Sequence, residues 1–268
     1  MIRTKKISNE VVRPIPRENI PEDRIKGNEL FSTLAANIFL LAKKRSGKTS
    51  VINKILKKCI DKHTKVFIFA STAYKDDNWK YIIKWLSDKK IDHEIFLTIK
   101  KSKKENNLTD VLNSLKVEND DPASDDPDDK SPEIIFEDVS VSVRKKRKPK
   151  KVAPENVFIF DDLGESLRNS AVNDLLKTNF HYKAKVIISS QYLNDLKPEA
   201  LKQLDYVLVF QGNSEKKLME LHKGVDLSLP FESFLELYND ATKEKYHFLY
   251  VDARRELFRK DFQYQYEL

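Results

Sequence analysis

The sequence predicts a three-layer α/β domain with a mostly parallel central sheet, and two patterns support this. Short apolar runs recur along the chain without alternating polar positions, which is typical of strands buried on both faces. Between them, apolar residues repeat at helical spacing, as in the amphipathic helices that cover such a sheet. With 268 residues, the chain is long enough for one domain of this class.

Strands and helices are expected to alternate along most of the chain. Because helices separate most of the strands, the strands are expected to run parallel. Buried strands are predicted at 37–41, 65–70, 93–97, 156–162, 184–191, 205–211 and 246–251. Helices are predicted from residue 48 to about residue 62, and at 78–87, 108–115, 171–176, 215–222 and 231–238.

The first strand is followed by a phosphate-binding loop with Mg²⁺ and ATP as its expected ligands. The helix after the loop presents free N–H groups and a positive dipole end to an anion. Gly47 lets the backbone approach the phosphates, Lys48 neutralises the β- and γ-phosphates, and Thr49 offers its hydroxyl to Mg²⁺. The predicted nucleotide-binding residues are Lys44, Arg45, Ser46, Gly47, Lys48, Thr49 and Ser50.

One position of this loop departs from the usual pattern G-x-x-x-x-G-K-[ST]. The first glycine is replaced by Ala42, which adds a methyl group where the chain leaves the strand. Alanine also lacks easy access to positive φ, so the turn has to be built differently.

The run at 157–160 ends in Asp161 and Asp162, which is a Walker B pattern. A buried strand delivers these carboxylates to its end, beside the phosphate loop, where Asp161 is predicted to order Mg²⁺ and Asp162 to polarise the attacking water. Asp162 is one methylene shorter than the glutamate usually found there. The alternative is that both acids cap the next segment, since Gly164 follows closely.

Gln191 ends the strand predicted at 184–191. In a parallel sheet this position lies beside the phosphate loop, where an amide can orient water or sense hydrolysis next to the γ-phosphate. We therefore include Gln191 among the predicted catalytic residues, with Lys48 and Asp162.

Composition divides the chain further. Residues 1–30 are predicted to be an extended arm, 31–252 the ATPase domain and 253–268 a C-terminal tail. Residues 117–155 are predicted to be a charged insertion within the domain, disordered or forming a hairpin arm, because such blocks cannot bury enough surface to offset their ordering entropy. The insertion contains eight acidic residues at 118–133 and a basic run at 144–151.

The net charge of +7 favours an anionic partner. Outside 117–151 the chain has 41 basic and 32 acidic residues, so the positive charge lies on the folded body. The basic run at 144–151 is either a DNA-contacting or nuclear-targeting patch or a solvated insertion neutralised by its acidic neighbour, and we favour the second. The single cysteine, Cys59, fits a reducing intracellular setting, and no apolar run is long enough to span a membrane.

Four segments in order resemble the DNA-packaging ATPases of the FtsK–HerA superfamily, and most of all its vaccinia-type branch from giant viruses and virophages. They are the phosphate loop, FIFDDLGE, NFHYKAKVIISSQYLNDL and LDYVLVFQGN. The resemblance covers about residues 35–252 apart from the insertion. It implies a RecA-like sheet and an ATP-driven homo-oligomeric ring, a pentamer or hexamer, that moves double-stranded DNA into a preformed capsid.

The same resemblance implies partners, a location and residue roles. Viral capsid or portal vertex proteins would be partners, at an intracellular assembly site that is cytoplasmic rather than nuclear, with the virion as a second location. By position, Lys48 and Thr49 bind phosphate and Mg²⁺, Asp161 holds the metal, Asp162 is the catalytic acid and Gln191 the sensor.

The family often has an arginine before the sensor strand that reaches the neighbouring nucleotide. Here the matching residues are Asn179-Phe180-His181, so this arginine is absent. Because such a group is worth about 10³–10⁵ in rate in other phosphoryl-transfer systems, a cation is expected to replace it. Arg168 is our predicted substitute, and Lys183, Arg254 and Arg255 are alternatives.

Two other functions remain open from the sequence. One is another P-loop NTPase, such as a kinase or a helicase loader, although Gln191 argues against a nucleotide kinase. The other is a weakly active or non-catalytic nucleic-acid-binding scaffold, which Ala42 and the short Asp162 side chain keep open.

Overall fold

The computed structural model describes residues 20–102, 105–120 and 151–268. Within them, nine strands form one sheet in the order β3-β2-β4-β5-β1-β6-β7-β8-β9. The strands are β1 (Ala36–Leu41), β2 (Lys65–Ala70), β3 (His93–Phe96), β4 (Asn156–Asp161), β5 (Ala184–Ser190), β6 (Tyr206–Phe210), β7 (Phe248–Asp252), β8 (Leu257–Lys260) and β9 (Tyr264–Gln265).

The first six strands run parallel to one another, and β7, β8 and β9 are antiparallel additions at one side of the sheet. Every residue of β1, β4, β5 and β6 is buried, as the uninterrupted apolar runs predict. We call the edge where the parallel strands end the carboxyl edge, and the edge where they begin the amino edge. The predicted mostly parallel α/β sheet is confirmed.

Helices cover both faces of the sheet. They are α1 (Lys48–Cys59), α2 (Asp77–Asp88), α3 (Asn107–Asp120), α4 (Ser170–Thr178), α5 (Pro198–Leu201), α6 (Glu215–Gly224) and α7 (Phe231–Ala241). Alternate residues of β1 enter two separate cores: Phe39 and Leu41 pack with α3, α4, α6 and α7, whereas Ile38 and Leu40 pack with α1 and α2. This alternation produces the predicted three layers.

The sheet continues past the boundary predicted at residue 252. Strands β8 and β9 add two antiparallel partners beside β7, so this boundary falls inside the sheet and 253–268 is not a separate tail. At the other end, the last part of the predicted arm packs on the domain: Ile25 and Leu30 are buried, and Ile25 bridges to Val152.

Other sequence predictions fall on parts of the chain outside the described residues. These parts are the first 19 residues of the predicted arm and residues 121–150 of the predicted insertion, with its basic run. None of the helices in the described part of the chain combines the length and hydropathy that a bilayer crossing requires.

Candidate active site

The phosphate loop closes without a glycine at its first position. Ala42 is buried, lies outside the set of positive-φ residues, and donates its backbone N–H to the carbonyl of Ser190 on β5, at 3.0 Å. The left-handed turns come later, at Arg45 (φ 60°) and Gly47 (φ 92°). Because alanine needs no positive φ here, the substitution of the usual glycine leaves the loop intact.

Helix α1 begins immediately after the loop, with Gly47 as its N-cap. Glycine has no side chain with which to cap the helix, so the first N–H groups of α1 remain donors for an anion. Lys48 and Thr49 are buried in the first turn, where their side chains can reach such an anion. Lys44, Arg45 and Ser50 are exposed at the rim of the loop.

The two carboxylates after β4 meet the lysine of the loop. Lys48 Nζ lies 3.1 Å from Asp161 Oδ1 and 2.5 Å from Asp162 Oδ1. Strand register explains the meeting, because β5 lies between β4 and β1 and Ser189 pairs with both Asp161 and Leu40. The structure therefore brings together the two segments that the sequence separates by more than a hundred residues.

Adjacent strand residues normally point to opposite faces, yet both carboxylates reach the same lysine. The cause is Asp162, which adopts a left-handed backbone conformation (φ 51°) and ends the strand. Its N–H donates to the carbonyl of Ser189 at 3.3 Å. The side chain of Asp162 is 31% exposed and that of Asp161 only 3%, so Asp162 is the carboxylate that solvent can reach.

Trp79, which the sequence predicts only as an apolar residue of a helix, takes part in this site. The Nε1–H of Trp79, on α2, donates to Asp161 Oδ2 at 2.8 Å, and the Trp79 side chain is fully buried. The bond fixes one oxygen of Asp161 and leaves Oδ1 toward Lys48. A buried indole usually finds an acceptor for its N–H. A tryptophan on the apolar face of a predicted helix therefore indicates a buried acceptor nearby, although the sequence does not say which one.

Gln191 directly follows β5, at the carboxyl edge and next to the end of β1. Its backbone carbonyl accepts a hydrogen bond from Lys217 Nζ at 2.9 Å. Lys217 belongs to α6 and is a second residue that the sequence reading missed. Burial, and next the Lys43 ammonium, lower the pKa of Lys217.

The loop and the carboxylates fit a Mg²⁺–nucleotide. Ser46 Oγ is buried and has no hydrogen-bond partner among the described residues, whereas Lys48 Nζ is paired with the two carboxylates. A phosphate would supply acceptors for Ser46 Oγ and Lys48 Nζ, and Asp161 Oδ1 would then be released from Lys48 to a cation. Mg²⁺ is usually held by one or two carboxylates together with substrate phosphates, so Asp161 and Thr49 form a suitable set.

The cations considered as substitutes for the missing arginine lie in two places. Arg168 is exposed at the end of the 3₁₀ turn Gly164–Arg168, which follows the carboxylates. Lys183 lies at the amino edge, just before β5, and pairs there with Glu155. Arg168 is therefore on the carboxyl edge and Lys183 is not.

Arg254 and Arg255 also lie at the amino edge. The antiparallel β7 ends beside the start of β6, which carries both arginines away from the phosphate loop. Arg254 Nε is 2.5 Å from Asp205 Oδ1, and Arg255 pairs with Glu22. Burial raises the pKa of Asp205, and the Arg254 guanidinium opposes that effect.

Comparison with known proteins finds similarity at the level of structure. No protein-family model and no curated protein sequence matches the chain. The genome packaging NTPase B204 from Sulfolobus turreted icosahedral virus 2, in complex with AMP, superposes with a TM-score of 0.52 at 16% identity, covering 85% of this chain and 96% of that one. The complex of the same protein with AMPPCP superposes with a TM-score of 0.52 at 16% identity, covering 85% of this chain and 97% of that one.

Another matching structure is the crystal structure of B204, the DNA-packaging ATPase from Sulfolobus Turreted Icosahedral Virus. It superposes with a TM-score of 0.50 at 16% identity, covering 84% of this chain and 95% of that one. With identity this low, the superpositions show a shared fold, and a shared fold does not imply a shared function. The sheet and its covering helices therefore match those of viral packaging NTPases over nearly their whole length.

Proposed function

We propose that this protein is an ATPase that drives double-stranded DNA into a preformed viral capsid. The observation that carries the proposal is the position of Lys48, between Asp161 and Asp162 at the carboxyl edge of the sheet. The fold shared with B204, a packaging NTPase seen with AMP and AMPPCP, supports the choice of this chemistry over other uses of a phosphate loop.

Each site residue has a distinct role in the proposed reaction. The N–H groups of the loop and Lys48 bind the β- and γ-phosphates, and Lys48 exchanges its carboxylate contacts for phosphate oxygens. Asp161 and Thr49 would hold Mg²⁺, which neutralises charge on the phosphates. Asp162, which solvent can reach, accepts a proton from the attacking water, and Gln191 orients that water.

We further propose that the protein acts as a homo-oligomeric ring, a pentamer or hexamer, with Arg168 completing the site of a neighbouring subunit. The exposure of Arg168 on the carboxyl edge supports this role. The net charge of +7 suits sequence-independent contacts to DNA phosphates, which weaken steeply with salt. Capsid or portal vertex proteins would hold the ring at a viral assembly site inside the cell.

The test is ATP hydrolysis by the purified protein over a range of protein concentrations, with and without double-stranded DNA. A rate per subunit that rises with concentration and with DNA is expected from sites shared between subunits. A protein that binds DNA equally well with and without ATP, and hydrolyses none, would instead be a non-catalytic scaffold. A rate that DNA and concentration leave unchanged would indicate another kind of P-loop NTPase.

A further inference from the structure

A cavity of about 260 Å³ opens beside the phosphate loop, on the side away from the carboxylates. Strands β4 and β5 flank β1 on one side and bring Asp161, Asp162 and Gln191, whereas β6 and β7 flank it on the other. The cavity lies on the second side, between the loop residues 43–46, the end of β6 at 210–212 and the residues before β7 at 245–247.

Tyr246 forms one wall of this cavity and faces the phosphate loop. A Cβ atom built on Gly47 would come within 3.4 Å of Tyr246 Cδ1, so the ring lies directly beside the last loop residue before Lys48. The residue is 59% exposed. A side chain that is more than half exposed is accessible to a ligand at the loop.

The backbone holds Tyr246 in an unfavourable conformation. Its φ of 74° is left-handed, which is uncommon for a bulky residue and is found mostly where the surroundings impose it. Both sides of the segment are fastened: Thr242 Oγ1 donates to the carbonyl of Tyr238 at 2.7 Å, and His247 Nδ1 lies 2.5 Å from Asp261 Oδ2. The N–H of Phe248 donates to the other oxygen of Asp261 at 3.1 Å.

We infer that Tyr246 is a stacking platform for the base of a nucleotide whose phosphates occupy the loop. The inference rests on the proposed function and adds the base to it. With the γ-phosphate directed toward Asp162, the nucleoside extends to the opposite side of the loop, where the cavity is. Lys245 Nζ lies 4.9 Å from the ring centroid, over one face of the ring, so the base would stack on the other face.

The experiment compares two ligands that share their phosphates and differ in the base. Binding of ATP and of inorganic tripolyphosphate is measured calorimetrically for the wild type, Tyr246→Ala, Tyr246→Phe and Tyr264→Ala. Tyr264 is 66% exposed on β9, far along the sheet from the loop, and is the matched control. Retained tripolyphosphate binding shows that a variant is folded at the loop.

Tyr246→Ala is expected to weaken ATP binding on the order of tenfold and to leave tripolyphosphate binding unchanged. Tyr246→Phe, which keeps the ring face, and Tyr264→Ala are expected to match the wild type. The platform is overturned if Tyr246→Ala binds ATP normally, or if it loses both ligands equally, which would mean that Tyr246 only shapes the loop. If the wild type binds neither ligand, the proposed function fails, and the platform with it.

Discussion

The two edges of the sheet both contain buried charged groups, but these groups have different partners. At the carboxyl edge, Lys48 Nζ is held by two side-chain carboxylates, those of Asp161 at 3.1 Å and Asp162 at 2.5 Å. At the amino edge, Lys185 Nζ donates to the carbonyl of Thr33 at 2.5 Å, and Asp205 Oδ2 accepts the N–H of Asn37 at 2.7 Å. The first set can exchange partners, whereas the second is fixed by backbone.

If cavity volume marked the active site, the larger cavity would lie at the carboxyl edge, but it does not. The amino edge has the larger cavity, about 750 Å³, lined in part by Asp205, Arg254 and Arg255. The cavity beside the phosphate loop is about 260 Å³. Cavity volume therefore does not locate the proposed chemistry, and variants at the two edges are expected to have different effects.

The largest effect is expected from Lys48→Ala, which removes the cation that faces the phosphates. ATP binding should be lost, and ATP hydrolysis should be abolished with it. Lys58→Ala is the matched control, because Lys58 is on the same helix and pairs at the surface with Glu29. Calorimetric titration with ATP measures the binding, and tight binding by Lys48→Ala would refute the phosphate-loop assignment.

Asp162→Asn should separate binding from hydrolysis. The amide cannot accept the proton of the attacking water, so hydrolysis should fall on the order of 10²–10⁴-fold while ATP still binds. Glu165→Gln makes the same chemical change on an exposed residue of the following turn and should leave the rate unaltered. An unchanged rate in Asp162→Asn would mean that a different residue activates the water.

Trp79→Phe tests the hydrogen bond that orients Asp161. Removing the indole N–H frees one carboxylate oxygen, and loss of such an orienting partner typically costs about 10–100-fold in metal affinity or activity. Hydrolysis should therefore need more Mg²⁺ for half-maximal rate, with ATP binding in the absence of Mg²⁺ little changed. Trp85→Phe, a less buried change on the same helix, is the control. If both variants show the same Mg²⁺ dependence as the wild type, Trp79 serves packing alone.

Local patterns predicted the fold well because the strands that build the site are buried on both faces. Uninterrupted apolar runs locate β1, β4 and β5, and the polar residues at their ends locate Lys48, Asp161, Asp162 and Gln191 at one edge. The three layers follow from the amphipathic helices between the strands. Strands β8 and β9 were missed because they are short, and because β8 is only partly buried and β9 is exposed, so their apolar pattern is weak.

Contacts between segments that are distant in the sequence could not be predicted from local patterns. Trp79 reads as one more apolar residue of α2, and only the pairing of β2 with β4 brings it to Asp161. Tyr246 is adjacent to Gly47 only because β7 returns antiparallel beside β6. Likewise, nothing in the sequence near Arg254 indicates that the end of β7 carries it to Asp205, at the amino edge.

The smallest effect on activity is expected from Lys185→Met at the amino edge. Full burial lowers the pKa of Lys185 to about 8 from its ordinary value of 10.5, and Cys59 and Asp205 have weaker effects in the other direction. Between these two values the unfolded chain binds a proton that the native chain lacks, so Lys185 makes the free energy of unfolding rise with pH, by at most about 3 kcal/mol.

Lys185→Met should abolish this rise and leave ATP hydrolysis at pH 7 unchanged. The free energy of unfolding, measured in urea at pH values from 7.5 to 10.5, tests this prediction, and Lys202→Met, at an exposed lysine, is the control. A rise that persists in Lys185→Met would assign the titration to another group, and a loss of hydrolysis would show that the amino edge is coupled to the site.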